Sequence, residues 1–251
     1  MGKNKTKVFK FIEGSEMKYL VVLPTYNEAE NIRKVLDSLM NYENIHVLVI
    51  DDNSQDGTAE IVKTYPEFNN KVFLIQRPYK MGLGTAYVTG FKWGLERGYD
   101  IFFEMDADLS HDPKDIPRFI EKMKEGYDVV IGSRYINNTI SVVGWDFKRL
   151  LISKFGNWYA TTILGLKQFS DITSGYRAYR RTCLEKIDLD KIKSNGYAFQ
   201  IEMAYKLYKR GCKITEIPII FYERNGGSSK MSRKIALEAA IIVWRLKFGK
   251  A

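Results

Sequence analysis

Ile101-Phe102-Phe103-Glu104-Met105-Asp106-Ala107-Asp108 is the stretch on which the fold turns. A short, mostly apolar run that breaks into a pair of carboxylates reads as a buried strand, Ile101 to Met105, delivering polar groups to a loop at its carboxyl end. The same grammar repeats on both sides. Tyr19 to Leu23 is an apolar run closed by Pro24, His46 to Ile50 a second, and Lys71 to Ile75 a third, while Asp128 to Ile131 follows as a fifth strand. Between them lie segments with helical spacing: Ile32, Val35, Leu36, Leu39 and Met40, then Thr58 to Tyr65, Thr85 to Glu96 and Pro113 to Glu125. Alternation of this kind predicts an α/β chain with a mostly parallel, doubly wound sheet and helices on both faces.

In such sheets ligands bind beyond the carboxyl ends of the strands. Pro24-Thr25-Tyr26-Asn27-Glu28 follows the first strand, Asp51-Asp52-Asn53-Ser54 the second, and Asp106-Ala107-Asp108 the fourth, so all three polar clusters are expected on one edge. Asn, Asp and Ser after a strand are often loop and cap residues. Three such clusters on one edge of a basic protein point instead to a site. Asp106 and Asp108, one small residue apart, repel if bare but together offer hard oxygen ligands to Mg²⁺ or Mn²⁺. An ion held this way shares its shell with substrate phosphates, and a nucleoside diphosphate leaving a sugar needs such help as charge builds on its β-phosphate. Gly82-Leu83-Gly84 follows the third strand and lacks the full dinucleotide fingerprint, so no such cofactor is expected. His111 reads as a polar loop residue or a partner to the site.

The second half is less regular. Phe147 to Leu164 and Ser232 to Phe248 read as amphipathic helices, Phe199 to Lys209 as a helix and Lys213 to Tyr222 as a strand. The 251 residues carry a formal charge of +9 and are 45% hydrophobic, enough for a substantial core and suited to an anionic partner. Two cysteines, Cys183 and Cys212, cannot make a disulfide framework, and a reducing cytosolic environment is expected. The N-terminal stretch is polar and lysine-rich, and no apolar run approaches the about 18 residues of a spanning helix.

Taken in order, Pro24 to Glu28, Asp51 to Thr58, Gly82 to Tyr87, Asp106-Ala107-Asp108-Leu109-Ser110-His111-Asp112-Pro113 and Gly132-Ser133-Arg134-Tyr135 resemble glycosyltransferase family 2 of the GT-A fold. Within it they look most like the dolichyl-phosphate (polyprenyl-phosphate) mannose synthases. Ser174-Gly175-Tyr176-Arg177 and Arg224 to Lys230 fit the same family, and the match runs over roughly residues 18 to 248. The resemblance implies a GT-A domain over residues 18–251 behind a polar tail, 1–17, with acceptor and membrane-interface elements about 134–165 and 224–248. It implies inverting transfer of mannose from GDP-mannose to a polyprenyl (dolichyl) monophosphate, with Mg²⁺ or Mn²⁺ as cofactor. Pro24, Tyr26, Glu28 and Asp52 would line the nucleoside pocket with Ile50 near the base. Asp106, Ala107 and Asp108 would meet the metal and diphosphate, Asp108 foremost in catalysis, and Gln200 the donor sugar. Arg134, Arg149 and Ser153 would take the acceptor phosphate, and Arg224 and Lys230 would close over both phosphates. Relatives often carry Gln where this chain has Ser110, so ligation through that side chain is not carried over.

A lipid phosphate is already anionic and nucleophilic, so arginines that neutralise and align it are needed more than a strong base. Because its tail holds it in the bilayer, the protein must reach the surface. Phe147 to Leu164 is therefore expected in the membrane interface, with Ser232 to Phe248 either beside it or against a separate membrane subunit. This implies a peripheral protein on the cytoplasmic face of a membrane: endoplasmic reticulum in a eukaryote, plasma membrane in a prokaryote. Rival readings are a UDP-glucose-dependent polyprenyl-phosphate glucose synthase and a basic nucleotide- or nucleic-acid-binding module. The second leaves three acidic clusters unexplained and lacks base-stacking motifs, so no nucleic acid is expected.

Overall fold

The computed structural model describes residues 17–223 and 233–249. Its strands are Tyr19–Thr25 (β1), Ile45–Asp51 (β2), Val72–Gln76 (β3), Ile101–Glu104 (β4), Val129–Ser133 (β5), Val142–Val143 (β6), Arg177–Arg180 (β7), Ile214–Pro218 (β8) and Phe221–Tyr222 (β9). Among the described residues, seven of these form one sheet in the order β3-β2-β1-β4-β7-β5-β8. β1 to β4 run parallel, as do β5 and β8, while β7 is antiparallel to both β4 and β5. The register decides where the site can be. Thr25 pairs with Asp51, and Val22 with Glu104, so β1, β2 and β4 release their polar ends at one edge, as the strand pattern predicts.

Helices Ile32–Leu39 (α1), Thr58–Lys63 (α2), Leu83–Glu96 (α3), Ile116–Lys124 (α4), Phe147–Leu164 (α5), Arg181–Leu184 (α6), Gly196–Lys209 (α7) and Arg233–Lys247 (α8) complete the fold. α1 buries Ile32, Val35, Leu36 and Leu39, and α4 buries Ile116, Phe119, Ile120 and Met123, each a single apolar stripe laid on one face of the sheet. Ahead of α4, Pro113–Asp115 is a tight 3₁₀ turn in which the Asp112 carboxylate accepts from the Lys114 N–H at 3.0 Å. Ala86, Tyr87 and Phe91 of α3 and Phe199, Met203 and Leu207 of α7 cover the other face. α5 and α8 lie outside α7: Ala160, Leu164, Ile242, Val243 and Leu246 pack with Ala198, Ile201 and Ala204 of α7, and Ile214 of β8 packs against the same cluster. Close approach of α3 to the sheet needs Gly90, where a Cβ would fall 2.4 Å from a Val22 methyl.

Three features differ from the sequence-based expectation. β7 was not anticipated, because Arg177-Ala178-Tyr179-Arg180 does not look like a central strand. The single strand expected over Lys213 to Tyr222 is two. After Pro218, which cannot donate to a ladder, the chain leaves the sheet, and β9 pairs with β6 in a small second sheet. Finally, Cys183 and Cys212 are joined by a disulfide with Cα atoms 6.1 Å apart, a single pairing that the reading of the two cysteines did not anticipate. Both cysteines lie in the core on the α3–α7 face, which brings them together despite their separation of 29 residues.

Arg177 is fully buried in the sheet. It can be there because its guanidinium donates to three backbone carbonyls: Ser174 at 2.8 Å, Gln200 at 2.9 Å and Ile172 at 2.5 Å. It also stands opposite Glu104 in the β4–β7 register. Arg177→Leu would leave those carbonyls without a donor and Glu104 without its counter-charge, at a cost of about 3–5 kcal/mol. Urea denaturation followed by circular dichroism checks this; a loss below about 1 kcal/mol would contradict it.

Candidate active site

Beyond the edge shared by β1, β2 and β4 lies a cleft of about 350 Å³. Pro24, Tyr26, Glu28, Asp52, Asp106, Ala107, Asp108, Arg134, Arg149 and Gln200, all expected at a site, line it together. Ile50 does not: it is fully buried in the core on the α3 side of β2. Ser153 also lies off the cleft wall, accepting a hydrogen bond from the Tyr135 hydroxyl at 2.8 Å. Arg224 and Lys230 fall outside the described residues.

At one end, the first and second clusters lock each other. The buried Asp51 carboxylate accepts from Thr25 Oγ1 at 2.8 Å and from the Ser54 hydroxyl at 2.6 Å, so it is structural, whereas Asp52 faces the cleft. Asp52 in turn is ion-paired with buried Arg77 and accepts from the backbone N–H groups of Met81 and Gly82 at 3.2 and 3.3 Å. Arg77 also donates to Thr85 Oγ1 and the Gly82 carbonyl, at 2.7 and 2.9 Å. The glycine turn before α3 is therefore a brace for Asp52. Gly82 takes φ +100°, a backbone that L side chains avoid. Lys80, on the same turn, places its ammonium 3.9 Å from the centre of the Tyr26 ring. The sequence contains no spacing that would have singled out Arg77 or Lys80.

At the centre, Asp106 and Asp108 follow β4. The Asp108 carboxylate accepts from the Ser110 N–H at 3.1 Å, and buried Ser110 Oγ lines the cleft with no hydrogen-bond partner. His111 Nδ1 accepts from the Asp106 N–H at 3.1 Å, and its ring stacks on Tyr176 with centroids 4.9 Å apart. Burial lowers the His111 pKa to about 4, Arg134 adding to the effect against the pull of Asp108. The imidazole is thus neutral and acts as a positioning group for the Asp106 backbone. Among the described residues no group of three or more His, Cys, Asp or Glu side chains could enclose a metal ion. Two carboxylates and a hydroxyl with a buried, unpartnered oxygen nevertheless fit a hard divalent ion that completes its shell with phosphate oxygens and water.

At the far end the groups are cationic and aromatic. Arg134 is buried and clamped by Asp171, Nε to Oδ2 at 2.6 Å and Nη2 to Oδ1 at 2.7 Å, with Thr173 Oγ1 at 2.9 Å. Burial works against both charges, but their mutual attraction raises the Arg134 pKa and lowers that of Asp171. Arg149 is ion-paired with Glu223 and lies 4.2 Å from the Trp145 ring centre, while Arg134 lies 5.2 Å from the same ring. Asp171 and Glu223 were missed because their arginine partners lie 37 and 74 positions away in the chain, and Trp145 because its part is to pack a ring against Arg134 and Arg149, which no motif records.

Residues 20–188 match the family described as "Glycosyl transferase family 2". The chain is a family 2 glycosyltransferase. This glycosyltransferase is 45% identical, over 91% of its length and 93% of the other, to undecaprenyl-phosphate mannosyltransferase of Micrococcus luteus. It is 44% identical, over 88% and 83%, to polyprenol monophosphomannose synthase of Mycolicibacterium smegmatis. In fold it is similar to glucosyl-3-phosphoglycerate synthase of Mycobacterium tuberculosis in complex with Mn²⁺, uridine diphosphate and phosphoglyceric acid. That likeness has a TM-score of 0.70 at 17% identity, covering 94% of this chain and 80% of that one. The architecture is thus that of the GT-A glycosyltransferases, in agreement with the fold expected from the sequence.

Behind the carboxylate pair, Glu104 is fully buried, and burial pushes its pKa up to about 7 against the pull of Arg177 and hydrogen bonds from Gln200 and Tyr179. A carboxyl whose folded-state value is raised binds its proton more tightly when folded. Its contribution to stability is complete below the ordinary value of 4.5 and is lost as pH rises through about 7. Glu104→Gln removes that titration. The stability of the variant relative to wild type should therefore rise by up to about 3 kcal/mol between pH 4.5 and pH 8, measured by urea titration of the unliganded glycosyltransferase. A difference that stays constant across that range would rule the assignment out.

Proposed function

We propose that the enzyme transfers mannose from GDP-mannose to a polyprenyl monophosphate, with inversion at the anomeric carbon and release of GDP. The observation that carries this reading is the charge layout of the cleft. Asp106 and Asp108 line one cleft together with Tyr26, Glu28 and Asp52 on the one hand and Arg134 and Arg149 on the other. Two relatives that match along most of their length carry names describing mannosyl transfer to a polyprenyl or undecaprenyl phosphate.

In this reading Tyr26, Glu28 and Asp52 receive the nucleoside, with Lys80 adding positive charge beside the Tyr26 ring. Asp106, Asp108 and Ser110 would hold Mg²⁺ or Mn²⁺, which when bound neutralises charge on the departing diphosphate. An oxygen of the acceptor phosphate attacks the anomeric carbon from the side opposite the diphosphate. The new carbon–oxygen bond forms as the bond to the β-phosphate oxygen breaks, and GDP leaves with the electron pair. A phosphate oxygen ionised at neutral pH has no proton to give up, so no general base is required. Arg134 and Arg149 hold and orient that phosphate. Their pairing with Asp171 and Glu223 fixes the guanidinium planes before the ligand arrives.

α5 supports the lipid side of this reading. Phe147, Leu151, Phe155 and Trp158 lie along one face of that helix and are all more than half exposed. Ile241, Trp244 and Phe248 form a second exposed apolar row on and just beyond α8, which packs against α5. Among the described residues no helix is long and apolar enough to cross a membrane. The two rows, flanked by Lys148, Lys154, Arg245 and Lys247, suit peripheral insertion at the cytoplasmic face of a membrane, with a separate membrane subunit as an alternative partner for α8.

Incubation with GDP-mannose, Mg²⁺ or Mn²⁺ and a polyprenyl phosphate should release GDP and yield a mannosyl lipid, and Asp108→Asn should lower turnover roughly 100-fold or more. Wild-type turnover with UDP-glucose alone would overturn the donor, and near-normal turnover by the variant would overturn the role of Asp108. Replacing Phe155 and Trp158 together with Glu should weaken co-sedimentation with anionic vesicles by roughly 10-fold or more. Turnover of a short, water-soluble acceptor should stay within about twofold of wild type, while unchanged sedimentation would remove α5 from the interface.

A further inference from the structure

Gln200 lines the cleft from the first turns of α7, yet its side chain is almost wholly buried, and its two amide atoms are in unlike situations. Nε2 donates to Glu104 Oε2 at 2.8 Å, while Oε1 has no hydrogen-bond partner. Glu104 is itself fully buried, and its other oxygen accepts from the Tyr179 hydroxyl at 2.8 Å. The backbone of the same glutamine is fixed as well, because the Arg177 guanidinium donates to its carbonyl at 2.9 Å. In its ionised form the Glu104 carboxylate can only accept. With Tyr179 donating to one oxygen, the other is left to take an amide N–H, and the glutamine cannot turn over without setting two acceptors against each other.

We propose that the Tyr179–Glu104–Gln200 chain fixes the polarity of the Gln200 amide, so that Oε1 accepts a hydrogen bond from one hydroxyl of the donor sugar. The proposal rests on the nucleotide-sugar reading above and adds to it a reason for sugar selectivity. Glu104 precedes Asp106 by two residues, so the amide it orients sits beside the carboxylate pair, where the sugar attached to the diphosphate must lie. An acceptor held in a buried setting discriminates strongly. A donor sugar lacking the partner hydroxyl leaves Oε1 unsatisfied in the complex, whereas the matching hydroxyl satisfies it. Glu104 and Tyr179 are positioning residues that act through Gln200.

Glu104→Gln provides the direct test. The amide introduced there can keep its carbonyl toward the Tyr179 hydroxyl and turn its NH₂ toward Gln200, which then rotates and presents Nε2 to the cleft in place of Oε1. Binding of GDP-mannose and its monodeoxy analogues is measured by calorimetry at pH 8 with Mn²⁺ and without acceptor, alongside GDP itself. In wild type, loss of one particular hydroxyl should weaken binding roughly 10- to 100-fold. In Glu104→Gln that penalty should shrink to about threefold or less, with GDP affinity unchanged, because the nucleotide does not touch the amide. Gln200→Met, which removes the acceptor without touching Glu104, should show the same flattened series. Equal penalties in wild type and both variants, or a parallel fall in GDP affinity, would overturn the proposal. If wild type binds UDP-glucose and not GDP-mannose, the donor reading fails by itself, and the UDP-glucose deoxy series then decides the role of the amide in the same way.

Discussion

The buried Arg177 guanidinium is the interaction on which the rest of the site depends. Strand β7 runs against its neighbours through the middle of the sheet, and the segment leading into it, Ile172 to Tyr176, forms one wall of the cleft. Its last carbonyl, that of Tyr176, accepts from the Gly132 N–H of β5 at 2.8 Å, and those of Ile172 and Ser174 take side-chain donors. Arg177 supplies the donors to Ile172 and Ser174 and reaches across to Gln200, joining the wall, the sheet and α7 at a single planar group. Lysine could not do the same, since three carbonyls in different directions require a fork of fixed geometry. The charge is tolerated because Glu104 stands opposite it in register. Removing either member would leave the other buried without its partner.

The same logic governs the charges that face the cleft. Arg77 is paired with Asp52, Arg134 with Asp171 and Arg149 with Glu223. In the proposed reaction the cleft takes phosphates and needs positive charge, but isolated arginines would lie disordered across it or collapse onto the nearest carboxylate. Pairing each one in advance gives up part of the attraction and gains geometry, which suits a reaction where alignment matters more than proton transfer. It also explains why aromatic rings gather there: Trp145, Tyr135 and Phe221 flank the Arg134 guanidinium at 5.2, 5.3 and 5.8 Å, fixing its plane from the sides that Asp171 does not reach.

Much of this was legible in the chain, and what was not has a physical reason. The strands β1, β2, β4 and β5 announce themselves because each is buried on both faces and so reads as an apolar run, and the edge strand β3, only partly buried, is apolar enough to be read the same way. The three polar clusters follow from the carboxyl-end rule, and the structure brings them into one cleft. β7 escaped because the bonds that let its arginines be buried, from Arg177 to the Gln200 carbonyl and from Arg180 to those of Tyr127 and Met123, span 23 to 57 positions, which no local pattern records. Asp171 is invisible for the same reason: its partner Arg134 lies 37 positions earlier. Ile50 shows the opposite limit. Its position in a family motif suggested the pocket, yet strand alternation turns its side chain into the core beside Ala86 and Tyr87.

Alternation also accounts for the spacing that the whole site is built on. Along β4, Ile101, Phe103 and Met105 point into the core covered by α1 and α4, while Phe102 points to the α3–α7 side, where Glu104 meets Tyr179 and Gln200. Ala107 continues the first series: it is 3% exposed and belongs to the same core cluster as Phe103 and Met105. By the same period of two, Asp106 and Asp108 continue the second series, and Tyr87 on α3 feels both of them as well as Glu104. Two carboxylates can therefore converge on one ligand only if a single residue separates them, and that residue must be small and apolar because it is core. Glu104, one step back in the series, is drawn under the sheet and becomes the support for Gln200 instead of a third ligand. One strand and the bend that follows it thus carry both the carboxylate pair proposed to hold the cation and Glu104, which holds the Gln200 amide.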